Sequence, residues 1–233
     1  MMIMGIDTSG SIGGAALVSE AGLIAEYLLT IHNGHSELII PTIERILSDT
    51  GTALEDISAF AVVTGPGSFT GLRVGLATIK GFAYAMSKPI VAVTAMEALA
   101  WQYRIYPHLM YPLIDARRRE VFTQAFRGGK PESEAVNWKV SDLVDKLNSV
   151  SEPVLITGPG ALVYREELSE IEQAVIPADQ ELQLRPSSAA GLGLEWFKQG
   201  KTLEWYEVLP FYMRKSSAEY QFDKAEKEHE TGR

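Results

Sequence analysis

Cysteine is missing from this sequence, and histidine is scarce. None of the 233 residues is a cysteine, and only four are histidines. The lack of cysteine excludes disulfides, thiolate zinc sites and cysteine nucleophiles. The sequence also lacks the His-Glu-x-x-His pattern of zinc peptidases. The one close pair of histidines, His32 and His35, has no third ligand nearby in the sequence, so we expect no metal site.

Positive charge and long apolar runs are also in short supply. The chain has 21 Lys and Arg residues against 30 Asp and Glu residues, a formal net charge of -9. This balance argues against a free-standing nucleic-acid binder, although a partner subunit could supply the basic surface. No apolar stretch approaches the ~20 residues of a membrane span, and the first residues lack the pattern of a signal peptide. We therefore expect a cytoplasmic protein without a membrane span.

The pattern of apolar segments predicts an α/β protein with two related lobes. The first half reads as three strands followed by alternating helices and strands, and the second half repeats this order more loosely. A strand that runs into Gly-Pro-Gly occurs twice, at 64–67 and 157–160. This order is typical of the actin-like ATPase fold (ASKHA, ribonuclease-H-like), in which each lobe is a mixed sheet flanked by helices. We predict lobes at 1–104 and 105–222, the last segment of the second packing back on the first, and a disordered tail at 223–233.

The most specific motif is the glycine-rich segment at 65–83, which joins a predicted strand to a predicted helix that Thr70 would cap. Two interpretations stay open for its loop. Free amides at a helix start can bind phosphate, or the glycines can serve a tight turn and close helix packing. The spacing matches neither the P-loop nor the dinucleotide-binding fingerprint.

Polar residues at two predicted strand ends are further candidates. Asp7, Thr8 and Ser9 follow the first strand, where they would contact a nucleotide or simply form a turn. Arg117, Arg118 and Arg119 lie between two predicted strands, where they would touch tRNA phosphates or stay solvated.

Several segments together resemble the TsaB family, the bacterial subunit of the machinery that makes threonylcarbamoyladenosine at position 37 of tRNAs. The segments that carry the resemblance are 4–9, 35–37 with Pro41, 65–83, 115–122 and 210–214. The resemblance runs nearly end to end. It implies the two-lobed actin-like fold and no catalysis by this subunit alone.

The same resemblance implies partners. It implies association with the catalytic paralogue TsaD, which is activated for threonylcarbamoyl transfer to N6 of adenosine 37 in tRNAs reading ANN codons, and with the ATPase TsaE. It also implies homodimers when TsaD is absent, and tRNA contact that is indirect or weak. We place the partner interface on helices of the first lobe, at His35, Ile39, Ile43, Gly71, Arg73, Gly75 and Thr78. No cofactor is expected, apart from ATP or ADP at the partner interface.

The sequence lacks the metal ligands of the catalytic paralogue, and it leaves one enzymatic function as an alternative. The metal-binding His-x-x-x-His pair of that paralogue falls here on Ala95 and Leu99, which cannot coordinate a cation. An actin-like small-metabolite phosphotransferase is the alternative, with Asp7 and Asp115 as magnesium ligands. A peptidase would need a nucleophile with a base, or a metal, and the sequence offers neither.

Overall fold

The computed structural model describes residues 1–30 and 35–214, which form two mixed sheets with helices packed against them. The strands are β1 (Met2–Asp7), β2 (Ile12–Ser19), β3 (Gly22–Thr30), β4 (Ala59–Val63), β5 (Ile90–Val93), β6 (Leu109–Arg117), β7 (Glu120–Thr123), β8 (Phe126–Arg127), β9 (Lys130–Pro131), β10 (Val136–Lys139), β11 (Val154–Thr157) and β12 (Ala174–Val175). The helices are α1 (His35–Thr50), α2 (Phe69–Met86), α3 (Ala95–Gln102), α4 (Val140–Asn148), α5 (Pro159–Val163), α6 (Arg165–Leu168) and α7 (Pro186–Lys198).

The two sheets share one plan of strand order and direction. The first sheet has the order β3-β2-β1-β4-β5, with the first three strands antiparallel and β1, β4 and β5 parallel. The main path of the second sheet is β10-β7-β6-β11-β12, again with three antiparallel strands followed by parallel ones. The short β8–β9 hairpin is attached to β6. This repetition confirms the predicted two-lobed actin-like fold.

Strands β1 and β4 in the middle of the first sheet are buried on both faces, to which their successive side chains point in turn. Ile3 and Ala61 belong to the core cluster that also holds α3 and α7, whereas Met4 and Phe60 belong to the cluster under α1 and α2. The α3–α7 cluster also includes residues of the second sheet, so the two sheets share part of one core.

Helix α7 follows the second sheet in the sequence but packs on the first. Its approach is close, since a Cβ built on Gly5 would lie 2.7 Å from the Ala190 Cβ, and one on Gly193 2.6 Å from the Ala61 Cβ. The N-terminus of α7 is fixed by Glu26 of β3, which accepts hydrogen bonds from the Ser187 amide at 2.9 Å and from the Arg185 guanidinium. The division into lobes at 104/105 stays a prediction, and residues 223–233 lie outside the described residues.

Helix starts differ in detail from the predictions. Ser68 rather than Thr70 is the N-cap of α2, and its hydroxyl accepts from the Gly71 amide at 3.2 Å. The helix therefore begins two residues earlier, because the Ser68 hydroxyl already satisfies an amide of its first turn. Helix α4 begins directly after Lys139 without a side-chain cap. Pro41 lies inside α1.

Candidate functional site: the glycine-rich loop and the exposed edge of its helix

The glycine-rich loop after β4 is filled by other parts of the same chain. A Cβ on Gly67 would lie 2.4 Å from the Ser9 carbonyl oxygen, and one on Gly65 would lie 2.5 Å from the Phe211 carbonyl oxygen. The Ser68 amide donates to the Ser9 carbonyl at 2.7 Å. The glycines are therefore needed because backbone from two distant segments approaches the loop closely.

The first turns of α2 are held equally closely by the end of β1. The Thr8 hydroxyl donates to the Gly71 carbonyl at 2.7 Å. A Cβ on Gly75 would lie 2.3 Å from the Thr8 Oγ1 atom, well inside van der Waals contact. Of the two interpretations of the motif, these contacts favour the tight turn with close packing. The Ser9 backbone lies against Gly67 where a side chain would otherwise stand, so this contact accounts for the glycine without a phosphate.

Asp7, Thr8 and Ser9 form the turn that meets this loop. Asp7 is 1% exposed, and its Oδ1 accepts from the Ser9 amide at 2.8 Å. Thr8 and Ser9 are also buried and face the glycine-rich segment. The structure thus brings all three residues to the loop, in contacts that stabilise a turn. A nucleotide contact through them remains a prediction.

The residues predicted at the partner interface divide into buried and exposed groups. Ile39 and Ile43 lie in the core under the first sheet, at 3% and 0% exposure. Gly71 and Gly75 are buried against β1. The apolar face of α1 therefore packs on the chain's own sheet. The His35 side chain lies outside the described part, as does all of His32.

Arg73 and Thr78 lie on the outer side of α2, Arg73 exposed and Thr78 half-buried. An exposed row of residues three or four apart runs along this side of the helix: Thr70, Arg73, Ala77, Gly81 and Tyr84. A Cβ added to Gly81 would meet nothing within 4 Å. The row is smooth in its middle, because alanine and glycine leave the helix backbone accessible to another surface. We call these five residues the α2 edge.

The segment 200–214, which we call the strap, runs beside the α2 edge. It pairs with β5 through a bridge between Leu203 and Ile90. Further along, the Phe211 amide donates to the Thr64 carbonyl at 2.8 Å. The ring of Tyr212 stacks on Phe69 with centroids 4.3 Å apart. The strap therefore covers the glycine-rich loop.

The strap also joins the α2 edge to the second lobe. Arg73 donates to the Tyr212 hydroxyl at 3.2 Å. Two residues later, Arg214 donates to the Ala116 carbonyl at 2.8 Å and pairs with Glu120. The sequence drew attention to residues 210–214 only through the family resemblance, since nothing in their composition indicates what they contact.

At the end of β6, the turn of three arginines has an unusual backbone. The φ angles of Arg117, Arg118 and Arg119 are 64°, 57° and 58°. These values lie in the left-handed region, which costs non-glycine residues about 1–2 kcal/mol each. Asp115 supports the turn, because its Oδ1 accepts from the Arg117 amide at 2.8 Å and from the Tyr164 hydroxyl at 3.0 Å. Sequence analysis missed this geometry, since turn preferences predict glycine or asparagine there.

Residues 1–30 and 35–214 offer neither a metal site nor a membrane-spanning helix. In that part of the chain, no three His, Asp or Glu side chains are grouped as a metal site would require. Ala95 and Leu99, which replace the histidine pair, are fully buried in the core. No helix within the same ranges is both long and apolar enough to cross a bilayer.

Comparisons with known proteins agree over nearly the whole chain. Residues 29–222 match the family model of TsaD, tRNA N6-adenosine threonylcarbamoyltransferase. The tRNA threonylcarbamoyladenosine biosynthesis protein TsaB of Bacillus subtilis is 31% identical over 97% of this chain and 100% of its own. The TsaB protein of Escherichia coli is 27% identical, over 94% of this chain and 96% of its own.

A solved structure shows the same fold. YeaZ from Pseudomonas aeruginosa superposes with a TM-score of 0.75 over 91% of this chain and 99% of its own, at 22% sequence identity. Together with the repeated sheet plan and the glycine-rich loop, the full-length similarity to the Bacillus subtilis protein assigns the chain to a family. The chain belongs to the TsaB family, within the wider group that the TsaD family model describes.

Proposed function

We propose that this chain is a subunit of tRNA threonylcarbamoyladenosine biosynthesis that performs no catalysis itself and acts by binding and activating TsaD. The observation that carries the proposal is the similarity to the Bacillus subtilis TsaB protein over the full length of that protein. TsaD would hold the metal and the activated threonylcarbamoyl group, and this subunit would stabilise the competent arrangement of TsaD. ATP or ADP, where it takes part, would be held at the interface with TsaD rather than in the filled loop at Gly67.

The side chains at the two positions where the catalytic paralogue has its metal-binding histidines support a non-catalytic role. Alanine and leucine at 95 and 99 carry no ligand atoms, and both side chains are buried in the apolar core. The phosphotransferase alternative is not favoured. Asp115, one of its two required carboxylates, already accepts hydrogen bonds from Tyr164 and the Arg117 amide.

The contact with TsaD would lie on the α2 edge, which includes Arg73, with Thr78 beside it. The buried residues Ile39, Ile43, Gly71 and Gly75 would support this surface from inside. Because the side chains of Ala77 and Gly81 are small, a partner helix can pack close to the backbone of α2. The same surface would serve a homodimer when TsaD is absent, and TsaE would join the assembled pair.

Reconstitution tests the function directly. Unmodified tRNA would be incubated with TsaD, TsaE and the adenylate-forming enzyme, with and without this chain. We expect threonylcarbamoyladenosine only when the chain is present. Equal product in both mixtures would refute the proposal and return attention to ATP turnover by the pure chain.

The interface is tested by Ala77→Glu, which puts a bulky charge in the middle of the α2 edge. Ser141→Glu, at an exposed position in the first turn of α4, is the matched control, since a carboxylate is tolerated at a helix start. We expect Ala77→Glu to abolish co-elution with TsaD, to keep the melting temperature of the parent chain when both are measured as monomers at low concentration, and to lose stimulation of the modification. Retention of binding by a folded Ala77→Glu protein would remove the α2 edge from the interface.

A further inference from the structure

The turn at Arg117–Arg119 is the feature that the proposed function leaves unexplained. We infer that this turn is a contact site for the phosphate backbone of the tRNA substrate. The inference rests on the proposed function, because that function brings tRNA to the complex. It adds a direct contact through the second lobe to a subunit whose overall charge disfavours nucleic acid.

The residue types of this turn conflict with its left-handed backbone conformation. Arg118 and Arg119 form the two-residue loop between β6 and β7, and both have positive φ. Hairpin loops of this kind favour Asn-Gly, because only such residues adopt the left-handed region readily. Arg117 is left-handed as well, at the register shift next to Asp115. Strain that a simple substitution would remove is characteristic of functional sites.

Hydrogen bonds from several parts of the chain hold the backbone of the turn in place. Asp115 binds the Arg117 amide, and Arg214 of the strap binds the Ala116 carbonyl. The Val140 amide donates to the Arg119 carbonyl at 3.0 Å, which ties the turn to the start of α4. A preorganised display of side chains lowers the entropic cost of binding.

The positive charge of the three arginines is only partly paired with carboxylates. All three arginines are exposed, with Arg117 and Arg119 paired at the turn to Asp115 and Glu167. No hydrogen bond or ion pair to another described residue engages the Arg118 guanidinium. A guanidinium matches the geometry of a phosphate group in two parallel hydrogen bonds. Phosphate oxygens can also exchange with the carboxylates that hold the two flanking arginines.

The proposed function favours RNA over an acidic protein as the ligand, because it brings the phosphates of tRNA to the complex, and the Arg118 guanidinium suits a phosphate group. The proposed protein interface is on α2 of the first lobe, whereas the turn belongs to the second sheet. A second, weak electrostatic contact there would orient the tRNA while TsaD carries the main binding surface. An acidic protein surface is the competing ligand, and the experiment distinguishes the two.

Two substitutions in the full complex test the inference, with Arg118→Gly removing charge and strain and Arg118→Lys keeping the charge. We expect Arg118→Gly to raise the melting temperature of the chain by about 2–4 °C, because glycine relieves a left-handed position. The same variant should lower the affinity of the complex for tRNA about fivefold near physiological salt and flatten the salt slope by about 0.7–0.9. Arg118→Lys should largely keep the slope. Arg45→Ala, which removes an exposed arginine of α1, should change neither the tRNA affinity nor the salt slope.

Each other outcome overturns the inference. Unchanged tRNA affinity of Arg118→Gly would mean that the arginine is only solvated. Loss of TsaD association, measured in the same preparations without tRNA, would show a protein contact instead. A melting temperature that does not rise would remove the strain argument. The proposed function is judged separately, by whether the unaltered chain stimulates modification at all.

Discussion

Two glycines of α2 provide the sharpest test of how this molecule is built. Gly75 and Gly81 lie six residues apart in one helix and have the same intrinsic cost there. A Cβ on Gly75 would lie 2.3 Å from the Thr8 Oγ1 atom, whereas a Cβ on Gly81 would meet nothing within 4 Å. The substitutions Gly75→Ala and Gly81→Ala therefore add the same methyl group to opposite environments.

The expected effects have opposite signs. Alanine is favoured over glycine by about 1 kcal/mol in a helix interior, so Gly81→Ala should stabilise the fold by about that amount. Gly75→Ala gains the same term but overpacks the contact with β1, at a cost of about 1–3 kcal/mol. It also displaces the Thr8 hydroxyl, whose 2.7 Å hydrogen bond to Gly71 contributes about 1 kcal/mol. The net expectation is a destabilisation of about 1–3 kcal/mol.

Equilibrium unfolding in urea, followed by circular dichroism, measures both variants against the parent chain. At this chain length, each kcal/mol should also shift the melting temperature by about 2–4 °C. Equal stability of the two variants would refute the close packing of α2 on Thr8. It would also restore Gly75 as a residue available to a partner, as the sequence had predicted.

Three further predictions concern the rest of the fold. Ile43→Ala should lower the free energy of unfolding by about 2–5 kcal/mol, because Ile43 is fully buried and leaves a cavity; a purely local loss of TsaD binding with unchanged stability would contradict this. Glu26→Ala should destabilise by about 2–3 kcal/mol, because its side chain, 4% exposed, bonds the Ser187 amide and pairs with Arg185; unfolding in guanidinium chloride would measure the loss. Hydrogen bonds from Arg127 lower the pKa of Glu152 from its ordinary value of 4.5 to about 2. This carboxylate should therefore stabilise the fold fully above pH 4.5 and lose its contribution as the pH falls towards 2. We expect the difference in unfolding free energy between the parent chain and Glu152→Gln to shrink as the pH falls through that range, and to stay constant at higher pH.

Much of the fold could be predicted from the sequence, because strands that are buried on both faces read as continuous apolar runs. Strands β1 and β4 are apolar runs of this kind, and the repeated Gly-Pro-Gly indicated the second lobe. What periodicity does not reveal is which surface covers an apolar face. Ile39 and Ile43 were predicted to meet a partner but lie against the chain's own sheet.

The candidate site was harder to predict, since its decisive contacts join distant segments. Gly75 and Gly81 look alike in the sequence, and only the position of Thr8 distinguishes them. The contact between the strap and the loop links Phe211 to Thr64, which no local pattern encodes. The arginine turn was noticed for its charge, but its left-handed backbone contradicts the propensity of arginine and could be seen only in the structure.

The return of α7 to the first sheet has a consequence for the order of events during synthesis. The strands of that sheet are complete at Val93, yet one of its apolar faces is covered by Pro186–Lys198, which leaves the ribosome only after the second lobe. At translation rates of about 5–20 residues per second, the nascent chain keeps this face open for on the order of ten seconds. During that interval the apolar face of the sheet is exposed to solvent. Newly made chains should therefore depend on chaperones that bind exposed apolar surface until α7 emerges and covers this face.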